Sequence, residues 1–209
     1  MTRFESAMAR LPLVAILRGV KLEEALGVLG ALVGEGFALI EIPLNSPDPL
    51  RSIEMMRKAA PDNVLIGAGT VLDVGDVEAV KAAGGDLIVS PNADVEVIRA
   101  AKARGMVALP GVATPTEAFA ALKAGADALK AFPAEMIGPN VIKAWRAVIP
   151  ARVGLLPVGG VSPETMKPYI AAGANGFGLG SALYKPGDGA AAVQAKAAAF
   201  TAAWRALKG

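Results

Sequence analysis

Short apolar segments alternate with amphipathic segments along the whole chain. Eight apolar segments have the length of buried strands, and their first residues are roughly 19 to 26 positions apart. One strand, one helix and two short loops fill such a spacing. The eight predicted strands are residues 13–19, 39–45, 65–71, 87–92, 106–112, 128–134, 154–161 and 176–183.

The intervening segments have the pattern of helices. Residues 21–36, 93–105 and 115–125 place apolar side chains three and four positions apart and end in glycine, which is typical of helix C-termini. Val193, Phe200 and Trp204 share one face of a predicted C-terminal helix. We therefore expect an α/β protein, a single (β/α)8 TIM barrel with a short N-terminal helix, in which residues 1–209 form one domain. A doubly wound open sheet is the alternative.

The composition limits the available chemistry. The 209 residues are 54% hydrophobic and 19% charged, and they include no cysteine and no histidine. These absences exclude the usual serine and cysteine triads and disfavour a zinc or iron centre, so no metal and no cofactor are expected. Acid and base chemistry must use Asp, Glu, Lys, Tyr or water.

Charge and hydropathy indicate the partners and the location. A net charge of +2 on scattered basic residues predicts no nucleic-acid or membrane partner, but it leaves a phosphorylated small molecule possible. No stretch of 18 apolar residues occurs. The first 19 residues contain basic residues and a short apolar run, but Glu5 interrupts this segment and no cleavage site follows it. We read it as a helix leading into a strand, and we expect a cytoplasmic protein.

Lys130 lies in the otherwise apolar strand segment DALKAFPAE. It is two positions from Phe132, so both side chains point to the same face. If that face is the interior of a barrel, burial lowers the pKa of the amine and leaves some of it neutral and able to attack a carbonyl group. A structural pairing with a carboxylate is the alternative, and the strand alone does not separate the two.

Glu41 lies in a second apolar strand, ALIEIPLN, where an unpaired carboxylate would be costly. It could simply pair with Lys130 or Arg18. An acid and an amine in one partly dry cavity are also the minimum equipment for covalent carbonyl catalysis. Arg18, at the end of the first strand, is suited to bind a carboxylate or to balance Glu41. Thr70 offers a hydroxyl at the same rim, or it caps the next helix.

Two glycine-rich segments follow the last two predicted strands, PVGGVSPE at 157–164 and GLGSALYKPG at 178–187. Many barrels hold a phosphate at this corner, on loop amides and a helix N-terminus. The alternative is that these glycines serve turns with positive φ. GAGTVL and GFGLGS do not complete the dinucleotide-binding spacing, so we do not expect NAD.

Several motifs in series resemble one family. They are LPLVAILRG, EIPLNSP, IGAGTVL, SPN, PGVATPTEA, ALKAFPAE, VGGVSPE and GLGSALY. In this order, from about Leu11 to the C-terminal helix, they are similar to the class I aldolases of the KDPG/KHG family, which cleave 2-keto-3-deoxy-6-phospho sugar acids.

The resemblance implies roles for named residues. Lys130 would form a Schiff base with the C2 ketone, and Glu41 would act as general base and acid, through a water. No metal would be required, and the protein would be a homotrimer. The remaining implied contacts are Arg18 and Thr70 to the carboxylate, Pro91 and Phe132 to the pyruvyl portion, and Gly159, Gly160, Gly180 and Ser181 to the phosphate.

Two positions indicate the branch of the family. Gluconate-type members usually carry an arginine where Asn45 stands and a threonine where Val158 stands, and both positions can reach the C4 hydroxyl. The resemblance therefore implies a galactonate-type substrate, with the gluconate epimer or 4-hydroxy-2-oxoglutarate as the alternatives. A phosphosugar isomerase or epimerase using Glu41 as base, or a non-catalytic phosphosugar-binding barrel, are alternatives of other classes.

Overall fold

A computed structural model describes residues 1–208, which contain nine strands and nine helices. The strands are β1 (Leu13–Ile16), β2 (Leu39–Pro43), β3 (Leu65–Gly69), β4 (Leu87–Val89), β5 (Val107–Leu109), β6 (Gly111–Val112), β7 (Ala128–Ala131), β8 (Gly154–Pro157) and β9 (Phe177–Leu179). The helices are α1 (Arg3–Arg10), α2 (Leu22–Gly34), α3 (Pro49–Ala59), α4 (Val74–Ala82), α5 (Val95–Ala103), α6 (Pro115–Ala124), α7 (Ala134–Trp145), α8 (Met166–Ala171) and α9 (Ala190–Lys208).

The helices begin and end where local chemistry requires. Thr114 caps α6, because its hydroxyl accepts the Glu117 backbone N–H while the Glu117 carboxylate accepts the Thr114 N–H. The three helices predicted from glycine-terminated segments are followed by Gly36, Gly105 and Gly125, all with positive φ. Glycine reaches this conformation without a steric cost, so the prediction of these helix ends is confirmed.

All paired strands are parallel, which confirms the α/β class. One sheet has the order β5-β4-β3-β2-β1-β9, and a second has the order β6-β7-β8. Backbone hydrogen bonds connect the two sheets at two places. Lys130 N–H donates to Pro110 C=O at 2.9 Å, and Asn175 N–H donates to Leu155 C=O at 3.0 Å. Just beyond β8, Val158 forms a parallel bridge with Gly178. The strands therefore curl around a common interior.

The predicted fifth strand, residues 106–112, is divided in two. Pro110 separates β5 from β6, because proline has no N–H to donate to a neighbouring strand. β5 pairs with β4 and β6 pairs with β7, so the first sheet ends at β5 and the second begins at β6. The prediction of one continuous strand here was wrong.

Two apolar layers hold the fold together. Alternate strand residues such as Leu39 and Leu65 point inwards and pack against Phe4 and Ala7 of α1, the predicted N-terminal helix. The other strand residues, such as Ile40, pack outwards against the helices. The predicted packing face of α9 is confirmed, because Val193, Phe200 and Trp204 are all buried. No helix within residues 1–208 is long and apolar enough to cross a bilayer.

Candidate active site

A cleft of about 640 Å³ opens where the strands end. Every residue predicted for the site lines it except Glu41, which lies deeper. The predicted residues along its walls are Arg18, Asn45, Thr70, Pro91, Lys130, Phe132, Val158, Gly159, Gly160, Gly180 and Ser181. The carboxyl ends of parallel strands thus bring together side chains that are far apart in sequence.

Lys130 extends from β7 into the interior, on the same strand face as the buried Ala128. Its side chain reaches an apolar void of about 10 Å³ that is walled by strand residues including Val14, Leu109 and Leu156. Lys130 is only 8% exposed, and its Nζ lies 4.7 Å from the centre of the Phe132 ring. Burial in these surroundings lowers the pKa of the amine, although the negative charge of Glu41 opposes the shift.

Glu41 extends from β2 on the same inward face as Leu39 and is 2% exposed. Gly69 on the neighbouring strand makes room for it, because a side chain at position 69 would overlap the Glu41 carboxylate. Within residues 1–208 its Oε2 has no hydrogen-bond partner. Burial raises the pKa of Glu41 to about 7, and Lys130 and Arg18 reduce that shift.

The acid and the amine interact without forming an ion pair. Each charge shifts the pKa of the other group, but neither group takes part in a salt bridge among the described residues. The alternative of a purely structural pairing between Glu41 and Lys130 or Arg18 is therefore not what the structure contains. A raised carboxyl pKa beside a lowered amine pKa is the pattern expected of groups that exchange protons.

Arg18 is held by the loops on either side of it. Its Nη1 donates to Asn45 Oδ1 at 3.0 Å, and the next N–H, that of Gly19, donates to Ser46 Oγ at 2.9 Å. Gly19 has a φ of 80°, and a side chain there would lie 2.8 Å from Pro186 Cγ. The guanidinium thus projects from a fixed backbone towards the cleft.

Thr70 does not cap the following helix. The N-cap of α4 is Asp73, whose side chain accepts the Asp76 N–H at 2.9 Å. Thr70 instead lines the cleft, with a left-handed φ of 57° that is unusual for a residue with a branched side chain. The helix-cap alternative was wrong, and the hydroxyl is available at the rim.

The glycine-rich end of the cleft is shaped by conformation and by contact. Gly159 and Gly160 have φ values of 111° and 62°, so the turn explanation applies to both. They also lie under the side chain of Glu135, which would overlap a side chain at either position. Gly180 has no positive φ, and its carbonyl accepts the N–H groups of Leu183 and Tyr184.

The cleft residues that were not predicted from the sequence include Glu135, Tyr184 and Lys185. Tyr184 is buried, and its hydroxyl donates to Glu24 Oε2 at 2.9 Å, which anchors the turn that carries Lys185. Glu135 is part of the motif that contains Lys130, but an acidic residue in the first turn of a helix is common. Only the placement of α7 beside the Gly159–Gly160 turn makes it a cleft residue.

Known proteins are similar in sequence to this chain over almost its whole length. The family model described as "Aldolase: KDPG and KHG aldolase" matches residues 4–194. The "Probable 2-dehydro-3-deoxy-6-phosphogalactonate aldolase" of Rhizobium meliloti is 56% identical over 198 residues, which cover 95% of this chain and 93% of the relative. The "2-dehydro-3-deoxy-6-phosphogalactonate aldolase" of Escherichia coli is 50% identical over 196 residues, covering 94% and 96%.

Solved structures agree with these relatives. "Native KDPGal structure" superposes with a TM-score of 0.93 at 49% identity, covering 95% of this chain and 96% of that one. A cube-shaped protein cage, designed by fusing symmetric oligomeric domains, has a TM-score of 0.92 at 49% identity, covering 95% and 73%.

A more distant structure is a KDPG aldolase from Legionella pneumophila with pyruvate captured as a covalent carbinolamine intermediate. Its TM-score is 0.81 at 28% identity, covering 99% of this chain and 98% of that one. The resemblance inferred from the sequence motifs is confirmed: this chain belongs to the KDPG and KHG aldolase family.

Proposed function

We propose that this enzyme cleaves 2-dehydro-3-deoxy-6-phospho-D-galactonate to pyruvate and D-glyceraldehyde 3-phosphate through a Schiff base on Lys130. The observation that carries the proposal is the buried Lys130, with its lowered pKa, beside the unpartnered carboxylate of Glu41 at the base of the cleft. The galactonate aldolase relatives at 56% and 50% identity support the choice of substrate.

The first step forms a covalent bond between enzyme and substrate. The neutral Nζ of Lys130 attacks the C2 ketone and gives a carbinolamine, which takes up a proton and loses water to become a protonated imine. The captured carbinolamine of the Legionella pneumophila relative supports this order of events. The positive nitrogen then draws electrons from the C3–C4 bond, so the reaction needs no metal for this purpose.

Glu41 transfers the protons in the second half of the reaction. Its carboxylate takes the C4 hydroxyl proton, directly or through a water, as the C3–C4 electron pair moves into the iminium and leaves an enamine. Glyceraldehyde 3-phosphate departs. Protonated Glu41 returns a proton to C3 of the enamine, and water hydrolyses the resulting imine to release pyruvate and free Lys130.

The cleft offers complementary groups for each part of the substrate. Arg18 and Thr70 would bind the C1 carboxylate, while Pro91 and Phe132 would pack against the pyruvyl portion. The distance of 4.7 Å between Lys130 Nζ and the Phe132 ring supports this packing. The phosphate would lie at the other end, on the backbone of Gly159, Gly160 and Gly180 and on Ser181.

Configuration at C4 is the finest part of the proposal, and it predicts a measurable preference. We expect kcat/KM for the galactonate epimer to exceed that for the gluconate epimer by about tenfold or more, the ratio that differential binding of roughly 1.4 kcal/mol produces. Val158 borders the cleft near the bridge to Gly178. Val158→Thr should narrow the preference, because a threonine hydroxyl would bind the other epimer. Faster turnover of the gluconate epimer by the unaltered enzyme would reject the assignment.

We also infer that the two sheets close into one (β/α)8 barrel and that residues 1–209 form a single domain. The backbone contacts at both meeting points of the sheets support closure. The location that we infer is the cytoplasm, where phosphorylated sugar acids and free pyruvate are found.

We infer a homotrimer as the assembly. Symmetric oligomeric domains form the cage that superposes on this chain. Large apolar side chains that lie at the surface of this chain, including Phe119 and Val148, supply contact area for an oligomer. Sedimentation should give about three times the chain mass of 21.1 kDa. A particle with the mass of one chain would contradict the inference.

A further inference from the structure

Glu135 is a cleft residue whose carboxylate has no hydrogen-bond partner in the part of the chain that the structure describes. It lies in the first turn of α7, five residues after Lys130, and its side chain lines the cleft. No hydrogen bond or ion pair within residues 1–208 involves its carboxylate, whereas Glu24, Glu96 and Glu117 are all bonded to the protein. The carboxylate is therefore free to contact a ligand.

The backbone that carries Glu135 is fixed. The preceding residue, Ala134, donates its N–H to Val158 C=O at 2.8 Å, and its own carbonyl accepts the Tyr169 hydroxyl at 2.9 Å. The side chain then extends over the Gly159–Gly160 turn, with Cγ only 2.8 Å from where a Cβ on Gly160 would be. The carboxylate thus lies beside the proposed phosphate site while its main chain is held to the end of β8.

A carboxylate in this place repels a phosphate group, so the phosphate itself is not its ligand. Lys185 is an exposed cation that also lines the cleft. The chemical partner that suits an unpaired carboxylate is a hydroxyl group, which it accepts in a charge-assisted hydrogen bond. In the proposed substrate the carbon next to the phosphate-bearing carbon carries such a group, the C5 hydroxyl.

We propose that Glu135 is a specificity-determining residue that accepts a hydrogen bond from the C5 hydroxyl, and hence from the C2 hydroxyl of glyceraldehyde 3-phosphate. This inference rests on the proposed function. It gives a role to an acidic side chain beside an anion site, because the hydrogen bond would fix the carbon chain between the imine and the phosphate. A substrate that lacks this hydroxyl leaves the carboxylate without a hydrogen-bond partner. The enzyme should therefore select against such a substrate.

The test is a cycle that compares the wild-type enzyme and a Glu135 variant, each with two aldehydes, in the direction of aldol synthesis. Pyruvate is condensed with glyceraldehyde 3-phosphate, or with 3-oxopropyl phosphate, which lacks only the C2 hydroxyl. For Glu135→Ala we expect kcat/KM with glyceraldehyde 3-phosphate to fall about 30-fold, the effect of losing one hydrogen bond to a charged group. With 3-oxopropyl phosphate the same variant should change kcat/KM less than about threefold. For Glu135→Gln, kcat/KM with glyceraldehyde 3-phosphate should lie between the values of the wild type and Glu135→Ala, because the glutamine amide oxygen still accepts a hydrogen bond.

The control variant is Glu23→Gln, which removes an exposed first-turn carboxylate from α2, outside the cleft, and should change neither rate. Equal losses with both aldehydes would reject the hydroxyl contact, and faster reaction with both would show that Glu135 only repels phosphate. Borohydride trapping of pyruvate distinguishes a failure of the role proposed for Glu135 from a failure of the proposed function. If pyruvate is trapped on Lys130 but the cycle shows no coupling, the role of Glu135 fails and the proposed function remains.

Discussion

Lys130→Met is expected to lower kcat on the order of 10⁴-fold or more, because no other amine in the cleft lies buried beside a carboxylate. Methionine fills the apolar surroundings as far as the position of the lysine Cε, and it removes a charge whose burial is costly. The fold should therefore be retained or stabilised. Steady-state turnover of the phosphorylated keto acid, with thermal unfolding measured on the same sample, checks both parts.

The matched control is Lys123→Met, which removes an exposed lysine from α6 and should leave kcat unchanged. Lys130→Arg is informative as well, because it keeps a positive charge but has no nucleophilic amine at neutral pH. If Lys130→Met retained more than about 1% of wild-type kcat, the covalent role of this residue would be refuted.

Glu41→Gln is the second substitution with a large expected effect. It removes the proton-transfer group but not the imine-forming one, so kcat should fall about 10²- to 10⁴-fold while pyruvate can still be trapped on Lys130. The pH profile identifies the group. In the wild type, kcat/KM should rise with pH through about 7, the pKa to which burial raises Glu41, and the variant should lack this rise. Normal turnover by the variant would end the assignment.

The same substitution should stabilise the protein at alkaline pH. Burial raises the pKa of Glu41 from 4.5 unfolded to about 7 folded, so between these values the folded state binds more protons and its stability falls as the pH rises. Glutamine carries no charge to bury. Glu41→Gln should therefore gain up to about 3 kcal/mol in free energy of unfolding at pH 8 and almost nothing at pH 4. Denaturant unfolding at both values measures the difference.

The alternation of apolar residues in single strands was sufficient to predict the positions of the two central groups. Lys130 and Glu41 both lie two residues beyond an inward-facing side chain, and both are buried in the interior as that spacing requires. The helices bounded by glycine were predictable for the same reason, since the spacing of apolar residues and the glycine that ends a helix are local properties of the sequence. The division of one strand at Pro110 could have been read from the missing N–H.

Features that depend on how separate loops meet were not predictable. The hydrogen bond from Arg18 to Asn45 joins two loops. The position of Glu135 over the Gly159–Gly160 turn depends on how α7 packs against the end of β8. Thr70 was ambiguous because a hydroxyl residue after a strand also suits a helix cap. Only the observed cap at Asp73 resolves the ambiguity. Such contacts arise from long-range packing, which residue spacing does not encode.

Reductive trapping tests the central claim most directly. The protein is incubated with pyruvate and borohydride, digested, and its peptides are weighed and sequenced by mass spectrometry. A buried amine with a lowered pKa at position 130 predicts a stable pyruvate-derived adduct on Lys130, together with loss of aldolase activity. Full turnover by an enzyme whose Lys130 peptide remains unmodified under these conditions would contradict it.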